Sequence, residues 1–515
     1  MNKGKALLLA ILSGLLLWAS WPGSSLTALI FIAWIPLLYL SDLPISKRKF
    51  LLLCYVAMLV WNVGTTWWIW NATAEGSVAA WIVNSFLMCL PWLGYVAIKK
   101  RLSETRSLLA LIAFWMSFEL IHLRDWGLSW PWLTLGNVFA MHPNFVSWYQ
   151  YTGVAGGSLL VLSVNVLFYL ALKQKSKKFY IIGTGVIVAL IFIDLINQFK
   201  IADPTDKKLP ANVVIVQPNI DPYEKVTPGT SANQLDKLIR LSESKIDSNT
   251  QLVVWPETAL YSPYGYNEKE LTQTPSLIPL FELLKRHPKV QLFTGIESYA
   301  IVNGRTEYSR PLGNLNYEAY NGSVLLDKDG VKSTYHKSML VPGVETLPWF
   351  LHFMDSWFDK FGGTTAGYAK QTERTPVSTY NHFTIAPAIC YESVYGNFMR
   401  QFIHNGANVI CVITNDGWWK KTPGHIQHFN YARLRAIENN CWVIRSANTG
   451  ISAFIDANGK VYEPQGYDTT AAISMAVSAV NKKTFYSTYG DWLYYLLSGL
   501  SVLLLVAFFL SKKRV

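Results

Sequence analysis

Seven apolar runs crowd the first two hundred residues, and an eighth lies near the end of the chain. They fall at about residues 6–20, 26–40, 50–70, 78–98, 108–123, 157–172, 179–196 and 492–510. Several approach the roughly 20 apolar residues a helix needs to cross a bilayer. So many runs cannot share one water-soluble core, and a membrane-embedded helical bundle is the architecture they permit. The 21 Trp, the 27 Tyr and a hydrophobic fraction of 51% point the same way. The first two runs are short, and Pro36 interrupts the second. The first has the basic start and apolar centre of a secretory signal. Trp18, Trp21 and Pro22 stand where small residues should precede a cleavage site, so it reads as a retained helix.

The net charge of +12 would suit a nucleic-acid binder, but its distribution excludes one. The excess sits in short clusters beside apolar runs: Lys3 and Lys5, residues 47–49, 99–106, 173–178 and 512–514. The alternate loops, about Trp21, at 71–77 and at 124–156, hold Arg124 and no lysine. By the positive-inside rule, both termini and the basic loops are cytoplasmic. Seven crossings then put the large polar segment outside the cytoplasm, in the periplasm of a Gram-negative inner membrane. The expected division is a seven-helix transmembrane domain (1–199), a periplasmic catalytic domain (200–490) and a last transmembrane helix with a cytoplasmic tail (491–515). Tryptophans at 61–70 and 126–132 read as an interfacial belt, with the 126–137 loop a second candidate as the lining of a lipid-access cleft.

In the polar segment the texture becomes short apolar strands separated by helical stretches. Strands are expected at 213–216, 252–255, 290–294, 323–327, 383–389, 409–414, 442–447 and 452–455, and helices at 232–246, 275–285, 395–405 and 426–440. Pattern alone gives α/β or α+β, with sheets covered on both faces. Residues 261–274 and 348–381 read as long loops suited to lids or binding.

Three stretches each set an ionisable group at or beside the end of an apolar run: Trp255-Pro-Glu257, Lys337-Ser-Met-Leu-Val-Pro342 and Cys390-Tyr-Glu392. Taken singly, each has a plain reading. Cys390 is a small buried hydrophobe, Glu257 half of an ion pair, Lys337 a surface cation. Taken together they supply the base, the cationic stabiliser and the nucleophile of a thiol site that cleaves esters or amides. The five cysteines show no CxxC pair and no metal spacing, so neither a disulfide framework nor a metal site is expected. Cys54, Cys89, Cys411 and Cys441 read as packing residues. His425 and His428 read as helix or cap residues, not ligands.

In this order the motifs resemble those of the nitrilase superfamily. With the apolar runs, nearly the whole chain resembles the bacterial apolipoprotein N-acyltransferase family. The resemblance implies a membrane α-helical bundle of eight transmembrane helices plus an α/β nitrilase-like domain, an α-β-β-α sandwich. It implies Glu257 as base, Lys337 as cationic stabiliser and Cys390 as nucleophile. Glu345 supports the site, although the family's Pro-Phe-Gly-Glu is here Pro342-Gly-Val-Glu345. Tyr391 and Glu392 serve positioning and the oxyanion pocket, and Trp418 is either an acyl-chain contact or a packing ring. The family often has a Trp after Gln-x-Asn-Ile. Here Gln217-Pro-Asn-Ile220 precedes Asp-Pro-Tyr223-Glu-Lys-Val226, so that contact is lost or supplied by Tyr223.

Glu, Lys and Cys alone do not separate a hydrolase from a transferase. The helices favour a transferase whose donor is membrane lipid. The resemblance implies an acyl chain leaving the sn-1 position of a phospholipid, a Cys390 thioester, and the α-amine of a diacylglyceryl-cysteine at an apolipoprotein N-terminus as acceptor. No cofactor and no nucleic-acid partner is implied. The alternatives are a membrane-anchored nitrilase-type amidase, and a transporter or scaffold with an inert domain. The scarcity of charges within the runs, Glu119 and Asp194 being the notable ones, weighs against a coupled transporter.

Overall fold

The computed structural model describes residues 3–201, 211–223, 230–346, 367–380 and 383–511. The chain divides into two compact units, Met1–Ala202 with Tyr489–Val515, and Asp203–Thr488.

The first unit is helical, and every expected apolar run is helical over most of its length. Among the described residues, five stretches are long and apolar enough to cross a membrane: Lys47–Asn71, Ala74–Ile98, Val154–Gln174, Lys177–Asn197 and Trp492–Leu510. Gly4–Ala19 and Thr27–Leu40 are apolar but shorter. The latter breaks into a 3₁₀ turn, Thr27–Phe31, and a helix, Ile35–Leu40. Pro36 lies in the first turn of that helix, where its missing N–H has no bond to lose. Glu104–His122 is long enough, but Glu104, Arg106 and Glu119 lower its apolar character.

The aromatic reading needs correction. Trp61, Trp68 and Trp132 are buried inside the unit and are no interfacial belt, while Trp67 and Trp70 are exposed. Trp34 stacks on Trp92 at 5.1 Å and meets Trp115 edge-on at 4.4 Å, and Trp61 lies 5.4 Å from Trp21. Glu119 is satisfied inside the bundle by Trp115 Nε1 (3.0 Å), Leu135 N (2.8 Å) and the Tyr494 hydroxyl (2.8 Å). A segment expected to be an open loop thus folds inward, with residues 131–140 buried.

The second unit holds fourteen strands among the described residues. They are β1 (Ala211–Gln217), β2 (Thr250–Val254), β3 (Tyr266–Asn267), β4 (Gln291–Val302), β5 (Arg310–Leu312), β6 (Leu315–Asp327), β7 (Gly330–His336), β8 (Val377–Ser378), β9 (Thr384–Ile389), β10 (Val409–Thr414), β11 (Trp442–Ala447), β12 (Ser452–Ile455), β13 (Val461–Gln465) and β14 (Ala471–Val477). One sheet runs β14-β1-β2-β4-β6-β5, with β3 on β4 and β7 on β6; the other runs β13-β12-β11-β10-β9-β8. The sheets face each other, and the Ser446 hydroxyl of β11 donates to the Val216 carbonyl of β1 at 2.8 Å. Helices Ser231–Glu243 and Ile278–Arg286 cover the first sheet through Leu235, Leu238, Leu280 and Phe281. Helices Gly396–His404 and Pro423–Asn439 pack on the second.

Strands β1, β2 and β4 run parallel, as do β9, β10 and β11. Their near-continuous apolar character follows from burial on both faces. Proline is unusual inside a strand, yet Pro387 is tolerated in β9 because β8 reaches only as far as Ile385. The edge strands β7, β13 and β14 were not expected. β7 and β14 bury only scattered residues and β13 buries none fully, so no apolar run marks them. Of the expected lid loop 348–381, residues 367–380 are described and include β8. Residues 348–366 and 381 lie outside the described residues, as do residues 224–226 and 512–514.

Candidate active site

Glu257 leaves the end of β2 through Trp255 and Pro256. The turn lies flat on β4, with Trp255 N donating to Phe293 O at 3.0 Å and Gly295 N to Pro256 O at 3.1 Å. A Cβ on Gly295 would stand 2.5 Å from Thr258 N and 2.6 Å from Glu257 Cα, so only glycine allows this approach. Glu257 Oε1 accepts from Asn321 Nδ2 at 2.9 Å and from Lys337 Nζ at 3.4 Å; Oε2 accepts from Asn415 N at 3.2 Å.

Lys337 follows β7 and is 1% exposed. Its ammonium donates to Glu345 Oε1 at 2.8 Å. Burial pulls its pKa down, but Glu345 and Glu257 outweigh burial, and the net shift is upward. Lys337 is therefore a fixed positive charge. Glu345 is held in turn by Val341 N, which donates to Oε2 at 2.8 Å. The departure at Pro342-Gly-Val-Glu345 has a geometric basis: Gly343 adopts φ +78° and closes a turn in which its N–H donates to Thr346 O at 2.8 Å.

Cys390 is delivered by β9 and begins the 3₁₀ turn Cys390–Val394. Its φ is +51°, a left-handed conformation that a non-glycine residue rarely adopts and that occurs at sites held under strain. Burial pushes the thiol pKa up, Glu257 adds to the rise and Lys337 opposes it, with the net shift upward. Both charges therefore act on the sulfur, and the resting group at neutral pH is a thiol that needs a base.

Glu392 is fully buried and faces donors: Tyr335 Oη (2.7 Å), Ser338 N (2.6 Å) and Met339 N (3.2 Å) on Oε1, and Ile389 N (2.8 Å) on Oε2. It ties the end of β9 at Cys390 to the Lys337 loop. Tyr391 is buried, with its ring edge-on to Tyr395 at 5.2 Å. Trp418 is 39% exposed and meets Tyr223 edge-on at 5.4 Å, so these two rings form one half-exposed aromatic pair.

Glu257, Lys337 and Glu345 thus form one buried ionic cluster whose charges reach Cys390. Sequence reasoning missed Asn321, whose amide donates to both carboxylates, at 2.9 Å to Glu257 and 3.0 Å to Glu345. The sequence carried no signal for it: the expected strand begins at residue 323, and only the fold extends β6 through Asn321. His428, expected as a helix or cap residue, has a further contact. It does lie in the helix Pro423–Asn439, but it is wholly buried against the Cys390 carbonyl. Among the described residues no cluster of His, Cys, Asp and Glu suits a metal ion.

A sequence profile of carbon-nitrogen hydrolases matches residues 212–480, and one of the apolipoprotein N-acyltransferase N-terminal domain matches residues 13–167. The apolipoprotein N-acyltransferase of Chlorobaculum tepidum is 30% identical, covering 98% of this chain and 96% of its own. The chain belongs to the apolipoprotein N-acyltransferase family. Another apolipoprotein N-acyltransferase, from Thermotoga maritima, is 25% identical over 99% of this chain and 94% of its own. Among solved structures, Saccharomyces cerevisiae Nit3, of branch 10 of the nitrilase superfamily, is 17% identical with a TM-score of 0.38, covering 53% of this chain and 91% of its own. Membership of the apolipoprotein N-acyltransferase family makes the chain an acyltransferase with a nitrilase-like α/β domain and several apolar helices that are candidate membrane spans. The amidase alternative has less behind it, because the N-terminal match is to an acyltransferase domain.

Proposed function

We propose that the chain moves an acyl chain from the sn-1 position of a membrane phospholipid to the α-amine of the diacylglyceryl-cysteine that begins an apolipoprotein. Cys390 attacks the ester carbonyl while Glu257 takes the thiol proton. The Lys337 ammonium stabilises the oxyanion, and Glu257 returns the proton to the departing glycerol oxygen. A thioester and a lysophospholipid result. The neutral amine then attacks the thioester, Glu257 accepts its proton, and Cys390 leaves as the amide forms. Glu345 and Asn321 hold Lys337 and Glu257 in place, Glu392 and Tyr391 brace the nucleophile's turn, and Trp418 with Tyr223 meets the acyl chain.

One observation carries this reading. A cysteine bent into a left-handed conformation ends the strand that Glu392 ties to the Lys337 loop, where Lys337 and Glu257 form a buried pair 3.4 Å apart. The membrane assignment is supported by the apolar helices and the loop charges: eight spans, domains at 1–199, 200–490 and 491–515, an inner-membrane location, cytoplasmic termini and a periplasmic catalytic domain. The test incubates the purified protein with labelled phospholipid and seeks an acyl adduct by mass spectrometry. Cys390→Ala should abolish the adduct and Cys411→Ala should retain it. Adding a diacylated lipopeptide should discharge the adduct as amide. Release of free acid alone would favour the amidase, and equal labelling of both variants would remove Cys390 from its role.

A further inference from the structure

The left-handed bend at Cys390 lifts its carbonyl out of the β ladder, and two side chains satisfy it. The Ser393 hydroxyl donates at 2.8 Å, and His428 Nε2 lies 3.0 Å from the carbonyl and 2.9 Å from the Ser393 oxygen, which is left to accept. A carbonyl can only accept, so Nε2 carries a hydrogen. The other ring nitrogen, Nδ1, sits 2.9 Å from Asp416 Oδ1 and 3.0 Å from Arg445 Nη2. Arg445 Nη2 also donates to Asp416 Oδ2 at 2.8 Å, and its Nη1 donates to Ile451 O at 2.6 Å. The Thr414 hydroxyl donates to Asp416 Oδ1 at 3.0 Å, and the Trp419 ring lies edge-on to the imidazole at 5.4 Å. His428, Asp416 and Arg445 are each 0% exposed.

A charged network in a core, here with the buried Arg445 Nε unpartnered among the described residues, gains little stability over apolar packing of the same volume. What it does supply is one fixed orientation. This network ends on the backbone of the strained residue that bears the thiol. We propose that His428, oriented by Asp416 and Arg445, is a positioning residue that pins the Cys390 carbonyl and so holds the thiol at the charges of Glu257 and Lys337. The inference rests on Cys390 being the nucleophile proposed above.

The test measures the initial rate of Cys390 acylation against phospholipid concentration for the full-length protein in detergent. Glutamine can place an amide N–H where Nε2 now donates; asparagine reaches only the Nδ1 position. His428→Asn should lower the maximal rate by about 100-fold, the usual effect of a misplaced reacting group, with the half-saturating lipid concentration unchanged. His428→Gln should recover to within about tenfold of the parent on the same reasoning. Equal rates in the two variants, whether both parental or both impaired, would overturn the proposal, as would a loss confined to half-saturation. If His428→Asn is not recovered folded, the comparison moves to Ser393→Ala. There His428 is the remaining side-chain donor to that carbonyl among the described residues. The His-to-Gln rate ratio should then widen by about tenfold, because the two side chains share the carbonyl and touch each other at 2.9 Å; an unchanged ratio sinks the idea. Cys390→Ala separates the two claims. A surviving adduct there would defeat the nucleophile assignment, whereas a lost adduct with parental rates in the His428 variants would defeat only this inference.

Discussion

Lys337 carries the largest electrostatic burden of any single side chain in the site. Its ammonium lies between Glu345 at 2.8 Å and Glu257 at 3.4 Å, in a place that water scarcely reaches. In Lys337→Met the two carboxylates would face each other across the Asn321 amide with no cation beside them. The proposed oxyanion partner is lost as well. We expect acylation of Cys390 to fall by about 10²- to 10³-fold. We also expect a stability loss of about 3 kcal/mol, the penalty for stranding one side of a buried ion pair. Adduct kinetics and the melting midpoint of the detergent-solubilised protein check the two effects separately. The residues readable in advance were those that terminate or closely follow an apolar run: Glu257, Lys337, Glu345 and Cys390. Asn321 was not readable, because its partners lie 64 and 24 residues away and its meaning appears only when β6 runs between them. His428 was hidden likewise, since a histidine on a helix face looks the same whether it packs or holds a carbonyl 38 residues distant.

Elements convert sequence distance into these contacts, and two of them can be tested as elements. The first is the crossing of β4 under the Glu257 turn. Gly295→Ala would press a methyl group against backbone atoms at 2.5–2.7 Å, and backbone cannot swing aside as a flexible side chain can. The turn must lift, carrying Glu257 with it. Acylation should fall by about 100-fold, the scale set by a displacement of about 1 Å, while Cys390 still alkylates slowly with a small thiol reagent. A parental acylation rate would show that the crossing does not position the base. The second is the loop after β10, anchored by Asp416. Burial pushes this carboxyl's pKa up, but the Arg445 guanidinium and His428 outweigh it and hold it below the usual range. A group depressed on folding contributes stability that is present above the unfolded pKa, about 4, and is lost as pH falls through the folded value. The parent's melting midpoint should therefore drop more steeply below pH 4 than that of Asp416→Asn, which should start lower at pH 7. Parallel curves would exclude Asp416 from the acid limb. The doubly covered strands β2, β9, β10 and β11 were legible because burial on both faces leaves a continuous apolar run. The outer halves of β4 and β6 were not, because there the burial becomes partial and the apolar run dissolves.

At the scale of the whole molecule, the strongest sequence signal concerns orientation rather than fold. Lysine and arginine gather at 47–49, 99–106 and 173–178 and are absent from 71–77, and positive loops stay on the cytoplasmic side. Length and hydropathy alone support five spans among the described residues, so the eight-span topology leans on charge for Gly4–Ala19, Thr27–Leu40 and Glu104–His122. The topology fixes a side for every loop, and the native cysteines make this simple to read. All five are free and buried, which leaves little background for a thiol probe. In a Cys390→Ala parent, Glu75→Cys and Arg48→Cys each create an exposed thiol, in the first turns of two helices whose ends are expected to face opposite sides. A membrane-impermeant maleimide added to intact spheroplasts should label the residue-75 variant and spare the residue-48 variant until the cells are lysed. If both react before lysis, residues 48 and 75 share a side and the odd number of crossings ahead of residues 200–490 is wrong; if only the residue-48 variant reacts, the orientation is reversed. Either outcome would remove the support for the proposed periplasmic placement of residues 200–490.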